Sequence, residues 1–344
     1  MPRALAIFDG HNDALTADGS AGLVTGSPGG HLDLPRMAAG GVRGGIFAVF
    51  SPSPDAVWTP ERGADEVLSV PLPEPLPRAD AAAFATEAAG RLLAAERAGH
   101  LVVARSTADL DAARDGGPPV AVLHLEGAEA IDPGLEALEL WCAAGLRSLG
   151  LVWSRPNAFA SGVPFRFPSS PDTGPGLTNA GRALVRRCAE LGVLVDLSHL
   201  NEAGFWDVAA LEAGPLVASH SGVHALCAAS RNLTDAQLDA IAASGGLVGI
   251  VFACSFLRPD FADDADTPLE LVVAHVRHVR DRLGAAHVAF GSDFDGATVP
   301  TAIGDVAGMP RLVDALRADG FTEAELEEIA WGNWRRVLGA WWRA

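Results

Sequence analysis

A chain of 344 residues with 49% hydrophobic and 20% charged residues has the make-up of an ordinary globular protein, which excludes wholesale disorder. Its net charge of -18 argues against nucleic acid and anionic membrane as partners, because phosphate is gripped by clustered cations. All 25 basic residues are Arg, so a Lys nucleophile, Schiff base or carbamylated Lys ligand is excluded as well.

The length permits two average domains or one large barrel. No Ser/Gly-rich or charged linker divides the chain, so one domain over residues 1–344 is expected. No signal-peptide pattern precedes the first strand and no apolar run approaches a membrane span. A soluble, cytoplasmic protein is therefore the expectation. Cys142, Cys188, Cys227 and Cys254 lie far apart without a Cys-x-x-Cys and read as small core hydrophobes.

Taken in order, residues 4–8 form a short apolar strand that stops at Asp9-Gly10-His11-Asn12-Asp13. Residues two apart on an extended backbone point the same way, so His11 and Asp13 can aim at one divalent ion. Taken alone, a surface turn accounts for the pair as well. A Gly- and Asp-rich loop over 16–30 leads to a second strand, 42–50. The Pro-rich stretch 51–77 is expected to be irregular and to lie where a substrate lid could form. Residues 79–100 have helical spacing. Strands at 119–125, ending in Glu126-Gly127, and at 146–153 flank a helix over 133–144.

A helix over 178–191, capped by Thr178, precedes a strand at 193–197 that ends at Ser198-His199. A helix over 201–211, capped by Asn201, precedes a strand at 215–218 that ends at Ser219-His220. Then come a helix over 235–244, a strand at 247–252, a helix over 268–283, and a strand at 287–290 ending in Gly291-Ser292-Asp293. Three helices, from Arg311, Glu323 and Trp334, complete the chain.

Eight short strands, apolar on both faces and separated by helices, indicate an α/β fold, a (β/α)8 TIM barrel with extra C-terminal helices. A doubly wound open sheet is the alternative, weakened by the lack of a Gly-x-Gly-x-x-Gly after any strand.

In a barrel the strand ends converge on one face, bringing His11, Asp13, Glu126, His199, His220 and Asp293 together. Three His and three carboxylates exceed the needs of one catalytic zinc and suit two ions. Two ions would share a bridging water, lower its pKa toward roughly 7 and polarise a scissile carbonyl. Glu126 is the natural bridge between them, and Asp293 would carry the proton to the leaving nitrogen.

His124 shares the face of Glu126 and reads as a core residue or as a partner to a ligand. His275 and His278, at helical spacing among Arg residues, read as a solvated face. His224 lacks the companion Glu of a zincin pair, and His31 and His100 carry no signal. Ser219 and Ser221 have no nucleophile elbow around them, which makes serine-hydrolase chemistry a weak reading. Arg231, at the barrel mouth, is suited equally to gripping a carboxylate and to a surface salt bridge.

These motifs, with Asp196-Leu197-Ser198-His199, Ser219-His220-Ser221, Arg231-Asn232 and Gly291-Ser292-Asp293-Phe294-Asp295-Gly296, resemble in order and spacing those of the renal or membrane dipeptidase family. That family comprises binuclear zinc dipeptidases with a barrel related to the amidohydrolases, and the resemblance spans essentially the whole chain. It implies two Zn2+ per chain, with His11 and Asp13 on one ion, His199 and His220 on the other, and Glu126 bridging both.

The resemblance also implies that Asp293 is the acid/base and that Arg231 holds the C-terminal carboxylate of a dipeptide. Vertebrate members carry a His that contacts the substrate carbonyl in the segment matching Leu151-Val152-Trp153-Ser154. Here Trp153 stands in that segment as a substrate-binding residue, so substrate scope is expected to differ. The implied activity is hydrolysis of L-Xaa-L-Xaa and L-Xaa-D-Xaa dipeptides by a soluble, bacterial-type member. The implied partner is a small dipeptide, with neither nucleic acid nor membrane, and a homodimer is left open. Cleavage of an N-acyl amino acid or cyclic amide, or a catalytically silent metal-binding barrel, are the rival readings.

Overall fold

A computed structural model describes residues 5–16, 22–54, 59–64 and 66–342. Its main sheet runs through eight parallel strands side by side in chain order: β1 (Ile7–Asn12), β2 (Val42–Phe50), β3 (Val120–Glu126), β4 (Leu146–Gly150), β5 (Leu194–Asp196), β6 (Val217–Ser221), β7 (Leu247–Ile250) and β8 (Val288–Phe290), and a ninth short strand, Val102–Val103, pairs parallel with β3. Hydrogen bonds at the C-terminal rim join the last strand to the first. The Asp293 N–H donates to the His11 carbonyl at 3.0 Å and the Asp13 N–H to the Phe294 carbonyl at 2.8 Å.

β1 and β3 are buried along their whole length, which is why their apolar residues, Ile7-Phe8 and Val120 to Leu123, follow one another and do not alternate with polar ones. Gly10 lets β1 approach β8. A Cβ there would lie 2.2 Å from the Trp334 ring and 2.5 Å from the Phe290 carbonyl.

Helices cover the barrel as their spacing predicts. Arg78–Arg97 buries Ala81, Ala85, Ala88 and Leu92, one stripe at spacings of three and four. Thr178 and Asn201 cap their helices by accepting the N–H of Gly181 and Gly204. At the C-terminal end, Met309–Ala318, Glu323–Glu327 and Asn333–Trp341 are helical, with a π-helical turn at Glu328–Gly332. That end sets Trp331 and Trp334 against Phe8, with ring centres 5.6 and 5.8 Å away. Among the described residues, no helix is long and apolar enough to cross a membrane.

Several expectations need correction. Part of the stretch 51–77 is ordered as strand: Glu61–Arg62 and Leu68–Val70 pair antiparallel with each other, and the latter pairs with Phe165–Phe167. The partner lies about a hundred residues on, so no local pattern announces it. Two helices add to the expected set, Leu34–Gly40 and Thr107–Arg114, the second opened by a capping box of Ser106 and Asp109. β1 runs on through His11, which therefore sits inside the strand and not beyond it. Residues 1–4 and 17–21, the start of the first expected strand and part of the expected loop, lie outside the described residues.

His275 is buried and not solvated. Its Nδ1 accepts the Val223 N–H at 3.0 Å and its Nε2 donates to the Leu257 carbonyl at 3.1 Å. His278 does face outward, 3.0 Å from Asp235. Cys188, Cys227 and Cys254 are buried and Cys142 half-buried, all as free thiols.

Candidate metal centre and active site

β3 ends on Glu126, whose two carboxylate oxygens face opposite groups. Oε2 lies 3.5 Å from His11 Nε2, while Oε1 lies 3.1 Å from His199 Nε2 and 3.4 Å from His220 Nε2. The two latter nitrogens are 3.0 Å apart. Asp13 Oδ2 is 3.6 Å from His11 Nε2, and Asp293 completes a cluster with His11 and Asp13 whose ligand atoms all lie within 4.8 Å. All six side chains expected to meet do meet.

Two of them sit on an unusual backbone. His199 and Asp293 have φ of 66° and 62°, the left-handed region that non-glycine residues adopt at a cost. Each side chain is thereby turned across the barrel mouth at the point where its strand ends. Gly296 then passes over the carboxylates, where a Cβ would fall 2.2 Å from Asp13 Oδ2 and 2.5 Å from Asp293 Oδ1.

Each imidazole is backed by a serine hydroxyl on its other nitrogen. Ser154 Oγ is 2.9 Å from His199 Nδ1, and Ser219 Oγ is 2.8 Å from His220 Nδ1 and 3.4 Å from His11 Nδ1. The three Nε2 atoms are left facing Glu126. His11 Nε2 is buried with no hydrogen-bond partner, an expensive state for a polar atom unless something binds there. Three convergent imidazole nitrogens and carboxylates able to bridge form a donor set that fits divalent metal.

At His199 and His220 the electrostatics agree with that fit. Burial pushes His199 down to about 4 and His220 well below its ordinary value, keeping both in the neutral form that ligates. Burial opposes charge on His11 too, but the Glu126 and Asp13 carboxylates outweigh it and raise the group. Glu126 is buried, yet His11 foremost, with His199 and His220, holds it well below the usual carboxylate range. Asp293 is pushed up to about 7, by burial first and then by the charge of Asp13.

The cluster opens into a cavity of about 1020 Å3. Asp13, Glu126, His199 and Asp293 supply its polar floor, and Phe50, Val70, Trp153, Phe165, Phe256 and Phe261 form an apolar wall. Trp153 stands 5.7 Å from the His199 ring, centre to centre. The buried Arg155 supports this wall, with its guanidinium 5.2 and 5.3 Å from the ring centres of Phe50 and Trp153 and ion-paired to Glu129 at 3.3 Å.

Arg231 is buried and not a surface residue. Nη1 donates to Ser221 Oγ at 2.8 Å, Nη2 donates to the His220 carbonyl at 2.7 Å, and Nε has no partner. Burial lowers it to about 10, which leaves it charged at neutral pH.

Sequence reasoning missed other contributors. His124, weighed as core or as partner, packs as core: it is fully buried, with Nδ1 2.8 Å from Ser148 Oγ and its ring edge-on to that of His11. His31, given no signal, lines the cavity and accepts the Asp295 N–H at 3.0 Å. Asp9 accepts from the Ser292 N–H and hydroxyl at 2.9 and 2.8 Å and so ties β1 to the loop carrying Asp293. The signal for Asp9 is its place in the Asp9-Gly10-His11-Asn12-Asp13 motif, which assigns it no role of its own.

Comparison with known proteins shows the family and the fold. The profile of the membrane dipeptidases, peptidase family M19, matches residues 1–341. A solved dipeptidase AC, a metallopeptidase of family M19, is 46% identical with a TM-score of 0.92, over 99% of this chain and 100% of that one. A metallopeptidase from Rhodobacter sphaeroides, solved with a phosphinate mimic of the dipeptide L-Ala-D-Ala, is 46% identical with a TM-score of 0.91, over 98% and 99%. An uncharacterized protein in the pqqA 5' region of Klebsiella pneumoniae is 48% identical over 238 residues, 69% of this chain and 88% of its own length.

Proposed function

This chain belongs to the membrane dipeptidase family, and on that premise we propose that it is a zinc-dependent dipeptidase hydrolysing L-Xaa-L-Xaa and L-Xaa-D-Xaa dipeptides. The observation that carries the reading is Glu126, whose separate oxygens face the His11 side and the His199/His220 side at 3.1–3.5 Å. Two zinc ions would be held by His11 and Asp13 on one side and by His199 and His220 on the other, with Glu126 shared. When bound, the ions supply Lewis acidity at the scissile carbonyl and lower the pKa of the attacking water.

The chain's own groups do the rest. Asp293, through a carboxylate oxygen, takes the proton that the attacking water gives up and returns it to the leaving nitrogen. Its raised pKa and its position beside Asp13 and His11 suit that exchange. Arg231, charged and with Nε free of partners, holds the C-terminal carboxylate of the substrate. The wall of Phe50, Trp153 and Phe165 receives a side chain and keeps water from the reacting atoms. The relative that binds a mimic of L-Ala-D-Ala supports tolerance of a D-residue on the C-terminal side.

The test is release of free amino acids from L-Ala-L-Ala and L-Ala-D-Ala by zinc-loaded protein, beside Asp293→Asn. Turnover should fall by about 10²–10⁴-fold in the variant with metal content unchanged, the usual contribution of a general acid/base. Silence toward all dipeptides with two zinc ions bound per chain would leave a metal-binding barrel without this activity. Turnover confined to uncharged amides would point to another amidohydrolase reaction.

A further inference from the structure

Ser219, inside β6 and fully buried, presents its hydroxyl to four polar side chains at once. Asp196 Oδ2 is 2.5 Å away, His220 Nδ1 2.8 Å, and His11 Nδ1 and Ser198 Oγ 3.4 Å each. A hydroxyl has one hydrogen to give and two lone pairs to receive with. Asp196 is committed as an acceptor, because its Oδ1 already takes the N–H of Ser198 at 3.0 Å and of Ser219 at 2.8 Å. The Ser219 hydrogen therefore goes to Oδ2, the shortest contact of the group, and its lone pairs are left to receive. Ser198, in turn, accepts the His220 N–H at 3.0 Å.

We infer that Ser219, oriented by Asp196, is a positioning residue that fixes His220 and His11 as Nδ1–H tautomers, so that one hydroxyl sets the ligating nitrogens on both sides of Glu126. With hydrogen on Nδ1, each ring keeps its Nε2 lone pair for a metal, on the edge that faces Glu126. The relay also explains a second cluster, His11, Asp196 and His220, whose ligand atoms lie within 4.8 Å of one another. The Ser219 hydroxyl is within hydrogen-bond distance of all three, so this is a clasp and not another cation site. Asp196 hangs between the N–H groups of Ser198 and Ser219, the residues that precede His199 and His220. Its carboxylate thereby couples the two strand ends.

The inference rests on the metal-centre reading above and makes a prediction that reading does not. In Asp196→Asn, the amide oxygen keeps the two backbone N–H groups and the amide nitrogen takes the place of Oδ2. It then donates to Ser219 Oγ, whose own hydrogen turns to the nearest acceptor left, His220 Nδ1 at 2.8 Å, ahead of Ser198 Oγ at 3.4 Å. The proton of that ring moves to Nε2, the nitrogen a metal needs.

Zinc titration and 15N spectra of metal-free protein labelled at histidine test this. The unaltered protein should show His220 protonated at Nδ1 and not at Nε2. Asp196→Asn should show His220 protonated at Nε2 and bind zinc about 10–100-fold more weakly. Ser219→Ala should weaken zinc binding by a similar factor, which keeps the test open if the Asn variant fails to fold. An Nε2–H tautomer of His220 in the unaltered protein, or unchanged zinc affinity in both variants, would overturn the relay. Failure of the unaltered protein to bind zinc would strike the metal-centre reading instead, since the tautomers are read without metal.

Discussion

Oε1 of Glu126 stands 3.1 Å from Nε2 of His199 and turns its companion oxygen toward the far side of the barrel mouth. A carboxylate so placed is shared between two half-sites, and its second oxygen is what Gln cannot supply. Glu126→Gln should bind fewer zinc ions per chain and lose more activity than the roughly 100-fold typical of changes outside the ligand sphere. Elemental analysis beside kcat/KM decides it: full metal content with near-normal turnover would refute the bridging role.

Arg231 has already given one N–H to Ser221 and one to the His220 carbonyl, so its effect on a substrate should depend on the substrate's charge. Arg231→Ala is expected to cost about 2–5 kcal/mol in kcat/KM for dipeptides, the usual loss on truncating a buried charge partner. Dipeptide amides, with no terminal carboxylate, should lose far less. Equal losses for acid and amide, with metal content preserved, would remove the carboxylate grip and leave a structural role.

Trp153 packs on Phe50 and Phe165 with ring centres 5.1 and 5.4 Å away and faces the cavity beside His199. Trp153→Ala should lower kcat/KM for dipeptides with large apolar side chains about tenfold more than for L-Ala-L-Ala. That factor corresponds to the ~1.4 kcal/mol that an aromatic contact can add. A uniform change across substrates would show that the ring supports the site without selecting the side chain.

His275 gives the fold an acid sensitivity. Burial pushes it down to about 4 from an ordinary value of 6.5. Between those values the unfolded chain binds a proton that the folded chain refuses. The stability from this group is therefore complete above pH 6.5 and is lost as pH falls toward 4, by about 3 kcal/mol in all. Denaturant unfolding of metal-free protein at pH 7.5 and 4.5 measures the loss. His275→Gln can keep an N–H on the Leu257 carbonyl but does not titrate, so it should start less stable and lose less on acidification. Equal losses in both proteins would rule the group out.

Much of this molecule was legible from the sequence because strand-end chemistry is local. An apolar run that stops at His or a carboxylate, as at Glu126, His199 and Asp293, fixes both the element and the place of the functional group. Repetition after helices then makes a barrel the economical arrangement. The tertiary structure alone decided what stands behind those groups. Asp196 meets Ser219 across 23 positions, Arg155 reaches back 104 positions to the Ser51 carbonyl, and His275 is sealed against Leu257 across 18. The strand pairing of Leu68–Val70 with Phe165–Phe167 is of the same kind. Periodicity reports which face of an element is buried, but not which distant polar group comes to lie against it. Hydrogen-bond partners and tautomers belong to that second class, because they are set by the packing of strands far apart in the chain.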